Sequence, residues 1–334
     1  MKIISGGILV AAVVAGLAVL KTKDSQTSDE DTEMTETVAK PVGPAFNPDS
    51  AFAFTAKQCD FGPRVMNSEA HDRCGAWIVS KFKAYGCTVE EQKADLKGYD
   101  GTMLHSTNII ARFRPEAKRP WADNDPDSTN HRKPVMAAND GASGVAVMIE
   151  VARQLSLMEK EQDGAKRLPA DVGIDFVCFD AEDWGLPQWE TNMDEVGDTW
   201  ALGALHFSTN LPAGFSPEFA VLLDMVGGEG AQFYREGMSV QYAPDVVNRV
   251  WNAAREAGFG SYFPNDVGGM VTDDHIPLNE KAGIPTADVI PYYPDCQQSS
   301  FGPTWHTIHD TMDHIDKGVL QAVGQTMIQM LWTL

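Results

Sequence analysis

The sequence predicts an α/β domain, and three observations carry that reading. Short β-branched or aromatic runs alternate with helix-period stretches along the chain. Apolar residues make up 43% of 334 positions, enough for a sizeable core. Acidic or imidazole side chains follow several apolar runs: Asp140 in Asn139-Asp140-Gly141, Glu182-Asp183 after Phe179, and His306 after Trp305. In an open α/β sheet the carboxyl ends of the strands face one crevice, where ligands bind.

The elements follow in order. Ile3 to Leu20 is an unbroken run of 18 apolar or small residues, with Lys2 before it and Lys21 and Lys23 after. That length is near the lower limit for a spanning helix and long for the core of a signal peptide. Residues 1–23 therefore read as a signal peptide or N-terminal membrane anchor. Either would export the rest to the periplasm or the extracellular side, with the membrane touched only through this segment. Residues 24–44, rich in Ser, Thr, Asp and Glu, cannot offset their ordering entropy and read as a disordered acidic linker. Residues 45–334 form the folded domain.

Ala70 to Tyr85 reads as a helix ended by Gly86, and Thr88–Leu96 and Asn108–Phe113 read as strands. Val147, Val151 and Leu155 share one face of a helix over Val145–Leu157. Asp140 lies in the tight turn before it, where a helix N-terminus favours a carboxylate. Taken alone, Asp140 is more simply a solvated or capping acid. Val172–Phe179 is a buried strand, and an acidic pair after a strand is most often a solvated turn. Asp224 interrupts the apolar strand Phe219–Val226, a stronger signal, because a buried carboxylate without a partner is costly. Val246–Ala257 reads as a helix and Ile284–Ile290 as a strand. Val319, Val323, Met327 and Leu331 form the core stripe of a last helix.

The net charge of −21 argues against nucleic acid, whose phosphates need clustered Lys and Arg. The five cysteines are too widely spaced for a CxxC zinc site. Cys178 lies in an apolar run and reads as core. Cys59 could pair with Cys74 or Cys87 in an exported chain.

Two carboxylates and one imidazole at strand ends suit zinc, with a fourth position left open as catalysis requires. Asp140, Asp183 and His306 are that set, for one Zn2+ per chain. Glu182, beside a ligand, is placed to move protons. Of the eight histidines, His309 and His314 read as exposed, and His275 as a hydrogen-bonded core residue.

Six segments, in order, resemble the bacterial zinc-dependent glutaminyl cyclases, which share an aminopeptidase-like zinc fold. They are Phe61-Gly62-Pro63-Arg64, Ser68-Glu69-Ala70-His71, Trp121-Ala122-Asp123-Asn124-Asp125 with Asn139-Asp140-Gly141-Ala142, Leu223-Asp224-Met225, Thr272-Asp273-Asp274-His275-Ile276-Pro277, and Phe301-Gly302-Pro303-Thr304-Trp305-His306. The resemblance implies a mixed, mostly parallel central sheet flanked by helices. It implies conversion of N-terminal glutamine of peptides or proteins to pyroglutamate, with release of ammonia, by a monomer. Glu182 would carry the proton, and Asp224 and Asp273 would share a hydrogen-bond network orienting the substrate amide. Trp305 and Phe301, with Trp189 or Trp184 opposite, would wall the substrate pocket.

The chain departs from that family at one place. No apolar run of strand length lies between Phe113 and Val135, where the family has a buried strand ending in His-x-Asp. One strand of the sheet is thus expected to be missing, leaving a poorly stable chain or one in which Asn108–Phe113 is rerouted to fill the gap. The missing His removes a ligand that a two-zinc aminopeptidase would need. Two other readings remain, that aminopeptidase and a non-catalytic peptide-binding relative.

Overall fold

A computed structural model describes residues 40–112, 127–130, 133–160, 168, 172–187 and 199–334. The signal or anchor segment, most of the linker, and Trp189 lie outside the described residues. Lys40 N–H already donates to Glu256 O at 2.8 Å and Val42 N–H to the Gln329 side chain at 2.7 Å. The folded body thus starts a few residues before position 45.

Helix α1 (Pro48–Cys59) starts where the Asn47 side chain accepts from Ser50 N–H, with Pro48 in its first turn. Helix α2 (Glu69–Ala84) is capped in the same way by Ser68. Gly86, at φ +89°, turns the chain from α2 into β1 (Thr88–Lys97). A tight turn through Gly98 and Gly101 leads into β2 (Met103–Arg112). Such a short connection fixes β1 and β2 as an antiparallel pair, from Thr88 opposite Arg112 to Lys97 opposite Met103. Helix α3 (Ala142–Lys160) follows, then β3 (Asp175–Cys178), antiparallel to the other edge of β2. After α4 (Leu202–Thr209) comes β4 (Ala220–Leu223). Helices α5 (Gly237–Tyr242) and α6 (Pro244–Glu256) precede a single turn, α7 (His275–Pro277). Strand β5 (Thr286–Val289) runs parallel to β4, and α8 (Lys317–Trp332) closes the chain.

The main core lies where α1, α3, α6 and α8 meet β4 and β5, around Val151, Trp251, Val289, Leu320 and Val323. A second cluster joins α2 to β2, β3 and α3 through Ile78, Phe82, Ala111, Ile149 and Cys178. Cys178 is thus core, as its apolar run suggests, and none of the five cysteines is in a disulfide. Among the described residues no helix is long and apolar enough to cross a membrane.

The α/β class holds, but the sheet differs from the expected one. The described strands form two small sheets, β1-β2-β3 and β4-β5, and only the second is parallel. The hairpin between β1 and β2 dictates the antiparallel part. Among the described residues, none between Arg112 and Asp175 forms a strand that joins β3 to β4. Asn108 to Arg112 stay in β2 opposite β1, and Ile109 to Arg112 also pair with β3, so these residues are not rerouted; Phe113 lies outside the described residues. Helices α1, α4 and α5 were not foreseen; α4 and α5 are short and show little apolar periodicity.

Candidate metal centre

The three residues expected to bind zinc converge. Asp140, Asp183 and His306 each place one ligand atom within 4.8 Å of the others, and all three are buried. His306 Nε2 lies 3.5 Å from Asp140 Oδ2 and 3.4 Å from Asp183 Oδ1. Two carboxylate oxygens and one imidazole nitrogen at this spacing fit a zinc ion with a position left for substrate.

Each ligand is held by contacts distant in the chain. The Asp140 loop rests on Asp310, whose carboxylate accepts Asn139 N–H at 2.8 Å and Asp140 N–H at 3.0 Å. Arg64 donates to Met136 O at 2.9 Å and Ala137 O at 2.8 Å just upstream. The Asn139 side chain accepts from Gly227 N–H at 2.9 Å, linking this loop to the turn after β4. Glu182 and Asp183 follow β3 through buried Asp180. Its carboxylate takes Thr107 N–H at 2.7 Å and lies 3.0 Å from His71 Nε2. The ordered position of the acidic pair therefore depends on α2 and β2. His306 has φ +53°, uncommon for a non-glycine residue. Its ring is sandwiched between Trp305, at 4.1 Å between centroids, and Trp200, at 5.9 Å.

Beside this trio sits a second acidic group. Glu182, Asp273 and Asp274 bring carboxylate oxygens within 4.8 Å of one another. Asp224 is buried at the end of β4, its N–H on Val289 O. Behind them His275 is fully buried, 3.3 Å from Glu236 Oε2 and 3.7 Å from Asp288 Oδ2. Burial raises the Glu236 carboxyl, but the His275 ring and the N–H groups of Met238 and Ser239 outweigh it and hold it down at about 2. Asp288 goes the other way. Burial first, then the carboxylates of Asp273, Glu236, Asp224 and Asp274, push it well above the usual range.

The expected aromatic walls separate. Phe301 and Trp305 sit together, 4.7 Å between centroids, next to His306. Trp184 instead packs with Met66, Leu104 and Ala181 and donates to Asp100 at 3.3 Å. Trp200, which the sequence did not single out, occupies the opposite side of His306, close over Gly185, where any side chain would collide with its ring. Asp310 was also missed; it is one more acid in a loop, and only its distant partners mark it.

An α/β body with a two-carboxylate, one-histidine centre at loop ends is the architecture of a zinc hydrolase-like enzyme. The profile of peptidase family M28 matches residues 122–331, and the chain belongs to that family. The chain is similar to the solved Bacteroides thetaiotaomicron glutaminyl cyclase, at 44% identity and TM-score 0.78, covering 87% of this chain and 99% of that one. A solved Zn-dependent exopeptidase from Parabacteroides distasonis is similar at 40% identity and TM-score 0.79, over 87% and 99% of the two chains. Aminopeptidase YwaD of Bacillus subtilis is 31% identical over 269 residues, which cover 76% of this chain but only 50% of the relative. Family and relatives together imply a zinc-dependent enzyme.

Proposed function

We propose that this chain is a glutaminyl-peptide cyclotransferase acting on peptides or proteins with N-terminal glutamine. The observation that carries the reading is the His-containing ligand trio, the one found among the described residues, beside a separate carboxylate group that includes Glu182. Similarity to the Bacteroides cyclase over nearly all of that chain supports it. In the reaction the substrate α-nitrogen forms a bond to the side-chain amide carbon, the carbon–nitrogen bond of that amide breaks, and ammonia leaves. Asp140, Asp183 and His306 would hold one zinc ion per chain, which would supply Lewis-acid chemistry at the amide carbonyl.

The chain's own residues do the rest. Glu182 takes the proton from the α-nitrogen and returns it to the departing nitrogen. Asp224 and Asp273, whose carboxylates crowd Asp288, keep the proton path oriented. Because the attack is intramolecular, holding the glutamine side chain folded is a large part of the task. Trp305, Phe301 and Trp200 offer the flat apolar walls for it.

The rest of the reading is that the enzyme works as a monomer outside the cytoplasm, exported by its first 23 residues. The test is incubation of purified protein with a glutamine-initiated peptide. Loss of ammonia from an otherwise intact peptide supports the cyclase. Release of the first amino acid, with two bound zinc ions, would replace it by an aminopeptidase, the reading favoured by the similarity to YwaD. Zinc-free protein that binds the peptide unchanged would replace it by a binding relative.

A further inference from the structure

Asn108 lies within β2 and is fully enclosed. A buried amide must satisfy both its donor and its acceptor, and two of the three partners of this one lie outside the sheet. Its Oδ1 accepts Asp180 N–H at 2.9 Å, at the start of the segment that carries Glu182 and Asp183. Its Nδ2 donates to Gly203 O at 2.9 Å, in the segment that carries Trp200, and to Gln92 Oε1 at 3.0 Å, directly opposite in β1. These partners fix which end of the amide is oxygen, because an N–H needs the acceptor and a carbonyl needs the donor. The two segments that Asn108 touches also fit each other closely. Ala201 N–H donates to Glu182 O at 3.0 Å. A side chain at Gly185 would collide with the Trp200 ring, and one at Gly203 would collide with Asp180 O. Each segment turns through a left-handed alanine, Ala181 at φ +55° and Ala201 at φ +53°. A residue with a side chain holds that conformation only where its surroundings impose it.

We propose that Asn108 is a positioning residue of the metal centre. It locks the segment bearing Glu182 and Asp183 to the segment bearing Trp200, so that the proton carrier and one wall of the substrate pocket stay in register. The consequence for turnover rests on the cyclase reading above; the lock itself does not. The two ends of the amide have separable duties. The Oδ1 end holds the acids through Asp180 and so bears on kcat. The Nδ2 end holds the Trp200 segment through Gly203. The Trp200 wall meets the glutamine side chain from the moment of binding, so loosening it raises KM. Gln92 steadies the donor end from the far side, since its own amide donates to Asn210 O at 2.8 Å, just past α4.

The test uses the full chain loaded with zinc. In the wild type, Asp180 N–H and Ala201 N–H should show hydrogen-exchange protection within about threefold of each other, since one lock closes both. Asn108→Asp keeps an acceptor for Asp180 N–H but sets a carboxylate against Gly203 O. It should lower the protection of Ala201 at least about tenfold, while Asp180 and Ile328, in the core of α8, change by less than about threefold. With a glutamine-initiated peptide, Asn108→Asp should raise KM about tenfold with kcat nearly kept, and the isosteric Asn108→Leu, which frees both segments, should lower kcat as well. Gly185→Ala displaces the Trp200 ring directly and should raise KM by the same order. Combining it with Asn108→Asp should be little worse than either change alone, because both release one contact. An asparagine that served stability alone would lower Tm and leave KM where it was. Unequal protection of Asp180 and Ala201 in the wild type, unchanged protection of Ala201 in Asn108→Asp, or additive effects of the two changes on KM would each overturn the proposal. If Asn108→Asp does not fold, the wild-type exchange decides the matter. Wild-type protein that leaves glutamine peptides unchanged would overturn the cyclase reading instead, and the exchange measurements would still decide the lock.

Discussion

Two of the buried histidines, both almost fully enclosed, each sit between two buried carboxylates at nearly the same distances. His306 has Asp140 and Asp183 at 3.5 and 3.4 Å, and His275 has Glu236 and Asp288 at 3.3 and 3.7 Å. Their surroundings differ. The acids around His306 stand on two loops fastened from outside by Asp310, Arg64 and Asp180, and the three ligand atoms converge on one point. Around His275, Glu236 gives both carboxylate oxygens to the start of α5 and to Val271, through the N–H groups of Met238, Ser239 and Val271 and the Ser239 hydroxyl. Asp288 lies within β5, where burial and the neighbouring carboxylates push its carboxyl well above the usual range. Imidazole between carboxylates is therefore not by itself a metal site. What distinguishes the first is that its acids are positioned by other groups and their oxygens aimed together; in the second Glu236 is occupied with structure.

The largest expected effect breaks the first histidine. His306→Ala should lose both bound zinc and turnover, read by elemental analysis and by the glutamine-peptide assay. His275→Ala should keep zinc stoichiometry; loss of zinc there would erase the distinction just drawn.

Next comes the proton carrier. Glu182→Gln should keep zinc but slow turnover by roughly two to four orders of magnitude, the range of a positioned acid/base. A near-normal rate would remove Glu182 from the reaction, and loss of zinc would exchange its role with that of Asp183.

The structural histidine yields a stability prediction with a defined sign. Glu236 is depressed to about 2 in the folded chain against an ordinary 4.5. A depressed carboxyl stabilises the fold fully above its unfolded value, and the stabilisation fades as pH falls toward the folded one. The interval corresponds to about 3 kcal/mol at neutral pH. Glu236→Gln should lower stability by that order at pH 7, and the gap to wild type in urea melts should narrow between pH 5 and pH 3. A gap independent of pH would mean that the bonds to Met238 and Ser239, rather than the charge, carry the effect.

The smallest effect sharpens the other side. Asp310→Asn keeps the shape but can accept fewer of the two backbone bonds that hold the Asp140 loop. Zinc affinity should fall by roughly 10- to 100-fold, the usual cost of disturbing a ligand's support. Unchanged affinity would show that Arg64 and Asn139 suffice to hold the loop.

The candidate trio was legible only as a set: an acid in a tight turn and an acidic pair after a strand are each more simply solvated, and what marked them was their occurrence with a histidine behind a tryptophan in a Gly/Pro-rich loop, in the order of the resembling segments. Asp224 was legible because a charge in an apolar strand needs a reason. Helices α2, α3, α6 and α8 and the hairpin strands were legible from the pattern of apolar residues. Trp200 and the true packing of Trp184 were not, since four of the eight tryptophans lie within or beside the loops of interest and sequence cannot say which way a ring turns.

By itself, then, the sequence determined the α/β class, most of the helices and strands, and which residue types come together at the candidate metal centre. These are matters of composition and short-range period, written over a few residues. Only the tertiary structure decided that Asp310 supports a loop 170 residues earlier, that Trp200 rather than Trp184 faces His306, and that the described strands form two sheets. Those outcomes depend on which distant backbone groups come within about 3 Å of each other, and on where helices leave space once packed, and neither distance nor space is encoded in any single segment.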